Sequence, residues 1–297
     1  MEKVLTAFVV AQWIKQVTTG EFHYTKVLEG AVGKESYEDL RKIMYDLCHA
    51  KNPIVESVGR KDGWYRAIQD LPAPVDFKDV KARTDFPLIL PFELRKYVFI
   101  YPNTVTVVAG SKSSAKTGFL YRTAVLNMHN TPTILLSNME GGREQMWDRF
   151  MAMGVNLDSA PLTVYYVCDN FHDFVKQPRT LYLIDYIDAP EGTEFYLIGG
   201  LISKIRKKLQ DNSVAVIGLQ KPFHRDIAVG GESTLKDATL YLALDTYKLK
   251  IVDAKVPADD TITPRNMQWT FKLTEKGTMF TDIAPYYGSQ SQLGDNE

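Results

Sequence analysis

Residues 104–126 read TVTVVAGSKSSAKTGFLYRTAVL: a β-branched apolar run, a glycine, a loop of serines and lysines, and then a helix-forming segment. The spacing from Gly110 to Lys116 and Thr117 is that of a phosphate-binding loop, G-x-x-x-x-G-K-[ST], except that Ala115 stands where the second glycine is expected. Strand, loop and helix in that order are the context the motif requires. Backbone N–H groups along Gly110, Ser111, Lys112, Ser113, Ser114, Ala115, Lys116, Thr117 and Gly118 would wrap a phosphate at the helix N-terminus. Lys116 would neutralise the outer phosphate oxygens, and the Thr117 hydroxyl would ligate Mg²⁺. None of these tasks uses the side chain at 115. A methyl group there matters only if the backbone needs a positive φ or a very close phosphate. A plain strand-to-helix turn with a surface lysine fits this string alone equally well.

The segments that follow bear on that choice. Apolar runs TILLSN, TLYLID, VAVIGLQ, TLYLALD, LKIVDAK and QWTFKL alternate with helical patterns at 116–128, 142–154 and 194–210. This predicts an α/β fold with a mainly parallel sheet flanked by helices and an antiparallel series at its end. In such sheets ligands bind at the C-terminal ends of the strands. TILLSNMEGG delivers Glu140 to that edge, where a carboxylate orients or deprotonates a water. TLYLIDYID delivers Asp185, with Asp188 as a lesser candidate; an acid ending so apolar a strand invites a cation. VAVIGLQ ends in Gln220, placed to sense a terminal phosphate, and opens into a loop carrying Lys221, His224 and Arg225. Trp147 and Trp269 are expected in the core, and SKIRKK (203–208) as the basic end of a helix.

Upstream, DLPAPVDFKDVKARTDFPLILP breaks both periodicities and predicts a linker. Before it, helices are expected at 3–17 and 22–32. A third begins at Tyr37, where Tyr37, Leu40, Met44, Leu47 and Cys48 form an apolar stripe behind Ser36 as N-cap. PIVESVGRKDGWYRAI then reads as a hairpin tipped by Arg60 and Lys61. Three helices and a hairpin are the order of a winged-helix domain. The expected division is 1–72 winged helix, 73–90 linker, 91–282 α/β domain and 283–297 polar tail.

Composition narrows the partners. The chain has 297 residues, 45% of them hydrophobic, enough for a substantial core. Its 35 Lys and Arg against 36 Asp and Glu exclude a global field for a polyanion, so any nucleic-acid surface is local. Cys48 and Cys168 have no metal-ligand or CxxC spacing, which fits a reducing cytoplasm. The run VLTAFVVAQWI is too short to span a bilayer and lacks the marks of an export signal.

Taken in order, FPLILPFELRKYVFIYPNTVTVVAGSKSSAKTGFL, LLSNMEGGREQMWDRF, LYLIDYID and VIGLQKPFHRDIAVGGESTLKDATLYLALD resemble the RecA/DnaB-like ATPase core. The phage-type members of that group also begin with a winged helix, which VGRKDGWYRAI is similar to. The resemblance implies a RecA-like sheet using ATP and Mg²⁺, with Lys116 and Thr117 on phosphate and metal, Glu140 as catalytic base and Asp185 as the metal-facing acid. It implies that Gln220 opens a DNA-contacting loop bearing Lys221, His224 and Arg225. IVDAKVP resembles the strand that presents a basic finger to the neighbouring subunit, which makes Lys255 the finger residue. A homo-oligomeric ring or filament, such as a hexamer, acting on single-stranded DNA in the cytoplasm follows, with duplex DNA met by Arg60 and Lys61. Two departures stand out: Ala115, and Pro257 where an arginine is expected. They leave room for a nucleotide-switched DNA-binding or loader protein with little hydrolysis, and for a non-hydrolysing scaffold.

Overall fold

The computed structural model describes residues 5–17, 20–25, 37–59, 62–69, 74, 77, 84–188, 195 and 197–287. The chain divides into two compact units, Met1–Val80 and Lys81–Glu297.

The first unit contains α1 (Ala7–Val17), β1 (Glu21–His23), α2 (Tyr37–His49), β2 (Val55–Ser57) and β3 (Trp64–Ala67). The stripe on α2 buries Leu40 and Met44 against Val10 and Ile14 of α1, with Phe22 and Val55 closing the cluster. β2 and β3 form the expected hairpin, Val55 opposite Ala67, with Gly59 and Gly63 in left-handed conformations. The helix expected from residue 22 starts two residues later, with Tyr24 and Thr25 helical ahead of residues that are not described. Residues 21–23 instead pair with Trp64–Arg66 as a third antiparallel strand, because Phe22 is needed in the core and a strand edge was open to it. Residues 26–36, and with them Ser36, lie outside the described residues, as do the tip residues Arg60 and Lys61.

The second unit is a nine-stranded sheet. In chain order it comprises β4 (Thr104–Gly110), α3 (Lys116–Asn127), β5 (Thr133–Ser137), α4 (Gly142–Ala152), β6 (Leu162–Tyr166), β7 (Leu181–Ile187) and α5 (Leu197–Lys208). Then follow β8 (Val214–Gln220), β9 (Ala238–Asp245), β10 (Lys248–Ala254), β11 (Gln268–Thr274) and β12 (Met279–Pro285). Across the sheet the order is β12-β11-β10-β9-β4-β8-β7-β5-β6. Strands β4 to β9 are mutually parallel where paired, and β10 to β12 extend the sheet antiparallel.

Side-chain alternation along each strand feeds two cores. On one face Val108, Leu135, Leu183, Val216 and Leu242 meet Phe119, Leu120 and Ala124 of α3 and Phe150 of α4. On the other Val107, Leu136, Ile184, Ile217 and Tyr241 meet Ile198, Ile202 and Ile205 of α5. Helices therefore flank both faces. Lys208 ends α5 with Arg206 and Lys207 in its last turn, as expected for the basic run.

Three expectations need correction. The last part of the expected linker is no tether: Phe86, Leu88 and Leu90 alternate into the core, and Asn127 clamps Ile89 by accepting from its N–H and donating to its carbonyl. Flanking prolines hid that alternation. β12 carries the sheet on to Pro285, past residue 283 where the tail was expected. Trp147 is 46% exposed on α4, whereas Trp269 is buried.

Candidate functional site

The four strand ends singled out in the sequence meet at one edge. Parallel register sets Gly110 beside Gln220, and Ser137 beside Asp185. Asp185, Gln220 and the turn after Ser137 line a cleft of about 620 Å³ whose other walls come from residues 112–118, α4, and the end of β11 with the turn that follows it.

The loop wall is closely built. A Cβ on Gly110 would collide with Ser114 Oγ and the Lys116 side chain, so any other residue there would have to displace both. Ser113 and Ala115 hold positive φ, and Ala115, with φ 74° and ψ 23°, is the residue from which α3 starts. The condition under which its methyl matters is therefore met, at a cost of about 1–2 kcal/mol for a left-handed non-glycine residue. The hydroxyl oxygens of Ser111 and Ser114 are buried without a partner among the described residues. Lys116 is 9% exposed and donates to the carbonyls of Gly110 (3.0 Å) and Ser111 (3.2 Å) and to Gln220 Oε1 (2.9 Å). Burial pulls its pKa down, opposed by the negative charges of Asp185 and Glu140.

Behind the lysine, Thr117 Oγ1 donates to Asp185 Oδ1 at 3.2 Å. Asp185 is 4% exposed, and burial lifts its pKa to about 6 against the lowering effects of the Thr117 bond, Lys116 and Arg149. A buried carboxylate so raised gains most from a cation beside it. Among the described residues no three His, Cys, Asp or Glu side chains gather as a metal-ligand set. One carboxylate and one hydroxyl fit Mg²⁺, which takes few protein ligands and completes its shell with water and phosphate oxygens.

The opposite wall is looser. After β5, Asn138 N–H donates to the Asp185 carbonyl, Met139 takes a left-handed φ of 48°, and Gly142 N–H closes the turn on the Met139 carbonyl. That turn projects Glu140 into the cleft rim. Glu140 is exposed, and its carboxylate makes no hydrogen bond or ion pair with a described residue. Asp188 lies past the end of β7 and does not line the cleft.

Residues that sequence reasoning missed complete the walls. Gly142, Gln145, Met146 and Arg149 line the cleft at i, i+3, i+4 and i+7 on α4, a stripe readable once a helix is expected over 142–154. Tyr121 and Tyr186 line it too, burial raising both phenol pKa values, and the Lys116 ammonium lies 5.8 Å from the Tyr186 ring centre. Leu273 arrives from the end of β11 and Gly277 from the turn after it, where the Gly277 carbonyl would meet any Cβ placed on Gly118. Nothing in the string foretold that contact.

Beyond Gln220 the loop differs from expectation. Lys221 is buried and paired with Asp245 at 2.5 Å, so it has no free charge for a polyanion; its N–H joins the Gly110 carbonyl. Phe223, His224 and Arg225 are exposed instead, Phe223 by 61%, and Asp226 anchors the loop to Lys250 at 2.7 Å. Lys255 lies at the far edge of the sheet, its N–H bonded to the Thr239 carbonyl and its Nζ to the Lys236 carbonyl, away from this chain's own cleft. Pro257 bridges Val98.

No protein-family model matches the chain. No curated protein matches it either. Among solved structures it is similar to the RadB recombinase, at 15% identity and a TM-score of 0.44, over 62% of this chain and 92% of that one. The second unit is thus a mainly parallel sheet with helices on both faces and an antiparallel extension, and the loop between β4 and α3 opens at the C-terminal ends of its parallel strands. No helix among the described residues is long and apolar enough to cross a membrane.

Proposed function

We propose that this chain is a DNA-dependent ATPase, a replicative-helicase-like motor acting on single-stranded DNA. The observation that carries the reading is the hydrogen bond from Lys116 Nζ to Gln220 Oε1, which joins the phosphate loop to the strand that opens the exposed 222–225 loop. An ATP phosphate would draw Lys116 from its carbonyl acceptors and from Gln220, and so register nucleotide state at the root of that loop. Thr117 and Asp185 would hold Mg²⁺, which would supply charge neutralisation at the phosphates. Glu140 orients the attacking water. His224 and Arg225 meet the strand's phosphates, and Phe223 offers a stacking face. Residues 1–72 serve as a winged helix whose Arg60 and Lys61 meet duplex DNA. The assembly is a cytoplasmic homo-oligomeric ring or filament, such as a hexamer, with ATP between subunits and Lys255 facing a neighbour's site.

The test is Mg²⁺-dependent ATP hydrolysis with and without single-stranded DNA. Stimulation by the strand that disappears in Lys116→Ala is the expected result. A wild-type chain that binds no ATP overturns the reading.

Two observations favour a second reading, a nucleotide-switched DNA-binding or loader protein. Ala115 holds a left-handed backbone, and Pro257, in the expected arginine position, is held against Val98. ATP binding that drives assembly with negligible turnover would establish it.

A further inference from the structure

Arg149 is the half-buried cation of the cleft that has no task in the reading above. Its guanidinium makes no hydrogen bond or ion pair with any described residue, although it lines the same cleft as Lys116, Thr117 and Glu140. Other buried or half-buried cations of this unit are engaged: Lys221 holds Asp245, Lys250 holds Asp226, and Arg95 holds Asp85. Partial burial costs a charge part of its hydration, and that cost is recovered only by an anion. Asp185 is close enough to feel Arg149 electrostatically, but its one hydrogen bond to a described side chain comes from Thr117.

Helix geometry says which anion. Gly142, Gln145, Met146 and Arg149 form one stripe along α4, beginning at the turn that carries Glu140. Arg149 is seven residues beyond Gly142, roughly 10 Å along the axis. Helical side chains lean back toward the N-terminus, so a long arginine recovers much of that distance. There it lies close enough to act electrostatically on Asp185, which Thr117 holds, and on Tyr121. A triphosphate seated in the loop would bring its last phosphate to where Lys116, Thr117, Asp185 and Gln220 meet, within the cleft that Arg149 lines.

We propose that Arg149 contacts the terminal phosphate of the nucleotide bound by its own chain, supplying in cis a cation that Pro257 does not supply in trans. The inference rests on the reading of the cleft as an ATP site. Its consequence is discrimination: Arg149 strengthens binding of ATP and leaves ADP untouched, since ADP lacks the group it meets.

Equilibrium binding of fluorescent ATP and ADP analogues with Mg²⁺, to the full-length wild type, Lys116→Ala, Arg149→Gln and Arg149→Lys, tests this. One charge-assisted contact corresponds to about tenfold or more in affinity. Arg149→Gln should lose that factor for the ATP analogue, with the ADP analogue unchanged within about twofold, and Arg149→Lys should recover part of it. An equal loss for both nucleotides would place Arg149 on the inner phosphates or the nucleoside and overturn the proposal, as would no loss for either. If the wild type binds neither nucleotide, the ATP site itself fails, a result distinct from both. Unchanged thermal melting of Arg149→Gln without nucleotide separates a lost contact from a lost fold.

Discussion

The two walls of the cleft are built to different standards. On the loop wall the groups that face phosphate are held: a Cβ on Gly110 would displace Ser114 and Lys116, Lys116 has three acceptors, and Thr117 is tied to Asp185. Across from it, Glu140 stands exposed on a four-residue turn and Gln145 is exposed on the helix behind. Groups that would hold phosphate are in place before any ligand arrives, whereas the carboxylate that would act on water is not. Preorganised binding beside an unfinished catalytic wall suits a site completed by closure, since catalytic hydrogen bonds often tighten only in the reacting complex.

The largest effect that could break this contrast is Glu140→Gln. The change keeps size and removes only the base, so turnover should fall about 10²- to 10⁴-fold while ATP affinity stays within about twofold. Steady-state kinetics paired with nucleotide titration read both quantities. Retained turnover would remove Glu140 from the chemistry and leave the exposed wall without a catalytic role.

The same contrast governs how far the site and the fold were legible. The expected strands, β4, β5 and β7 to β11, are interior to the sheet and bury continuous or alternating apolar runs. The two that no expectation covered, β6 and β12, are its edges: LTVYY leaves Tyr165 and Tyr166 exposed, and MFTDIAP has no fully buried residue. An edge strand is held by backbone pairing to one neighbour and needs no apolar signature. In the cleft, Lys116, Thr117, Asp185 and Gln220 were readable because each ends or follows an apolar run. Lys221 was misread because a buried lysine looks like a solvated one until Asp245, 24 residues away, appears beside it. Gly277 was invisible, since its part in the wall is played by a carbonyl.

That carbonyl gives the next sharpening. Alanine usually improves a helix by about 1 kcal/mol over glycine. At Gly118 the added methyl meets the Gly277 backbone, which cannot rotate away, and overpacking of this kind costs about 1–3 kcal/mol. Gly118→Ala should therefore lower stability in urea unfolding, whereas Gly200→Ala on α5, with nothing within 4 Å of its Cβ, should raise it. Equal gains in both would show that the β11–β12 turn does not bear on α3.

The smallest expected effect concerns Ala115, where the loop wall departs from its own logic. A left-handed alanine costs about 1–2 kcal/mol, and glycine there removes that cost while adding about 0.5–1 kcal/mol of unfolded-state entropy. Ala115→Gly should thus stabilise the chain by roughly 0.5–1 kcal/mol, a rise in Tm of about 1–3 °C for a protein of this size. Phosphate affinity should hold or rise, because the N–H groups of the loop keep their directions with less strain. A fall in Tm would mean that the entropy cost outweighs the strain, and that the αL backbone at 115 is accommodated at little cost. Since Ala115 and Glu140 belong to different walls, the turnover defect of Glu140→Gln should be the same with glycine or alanine at 115. Additivity of that kind is what two independently built walls require.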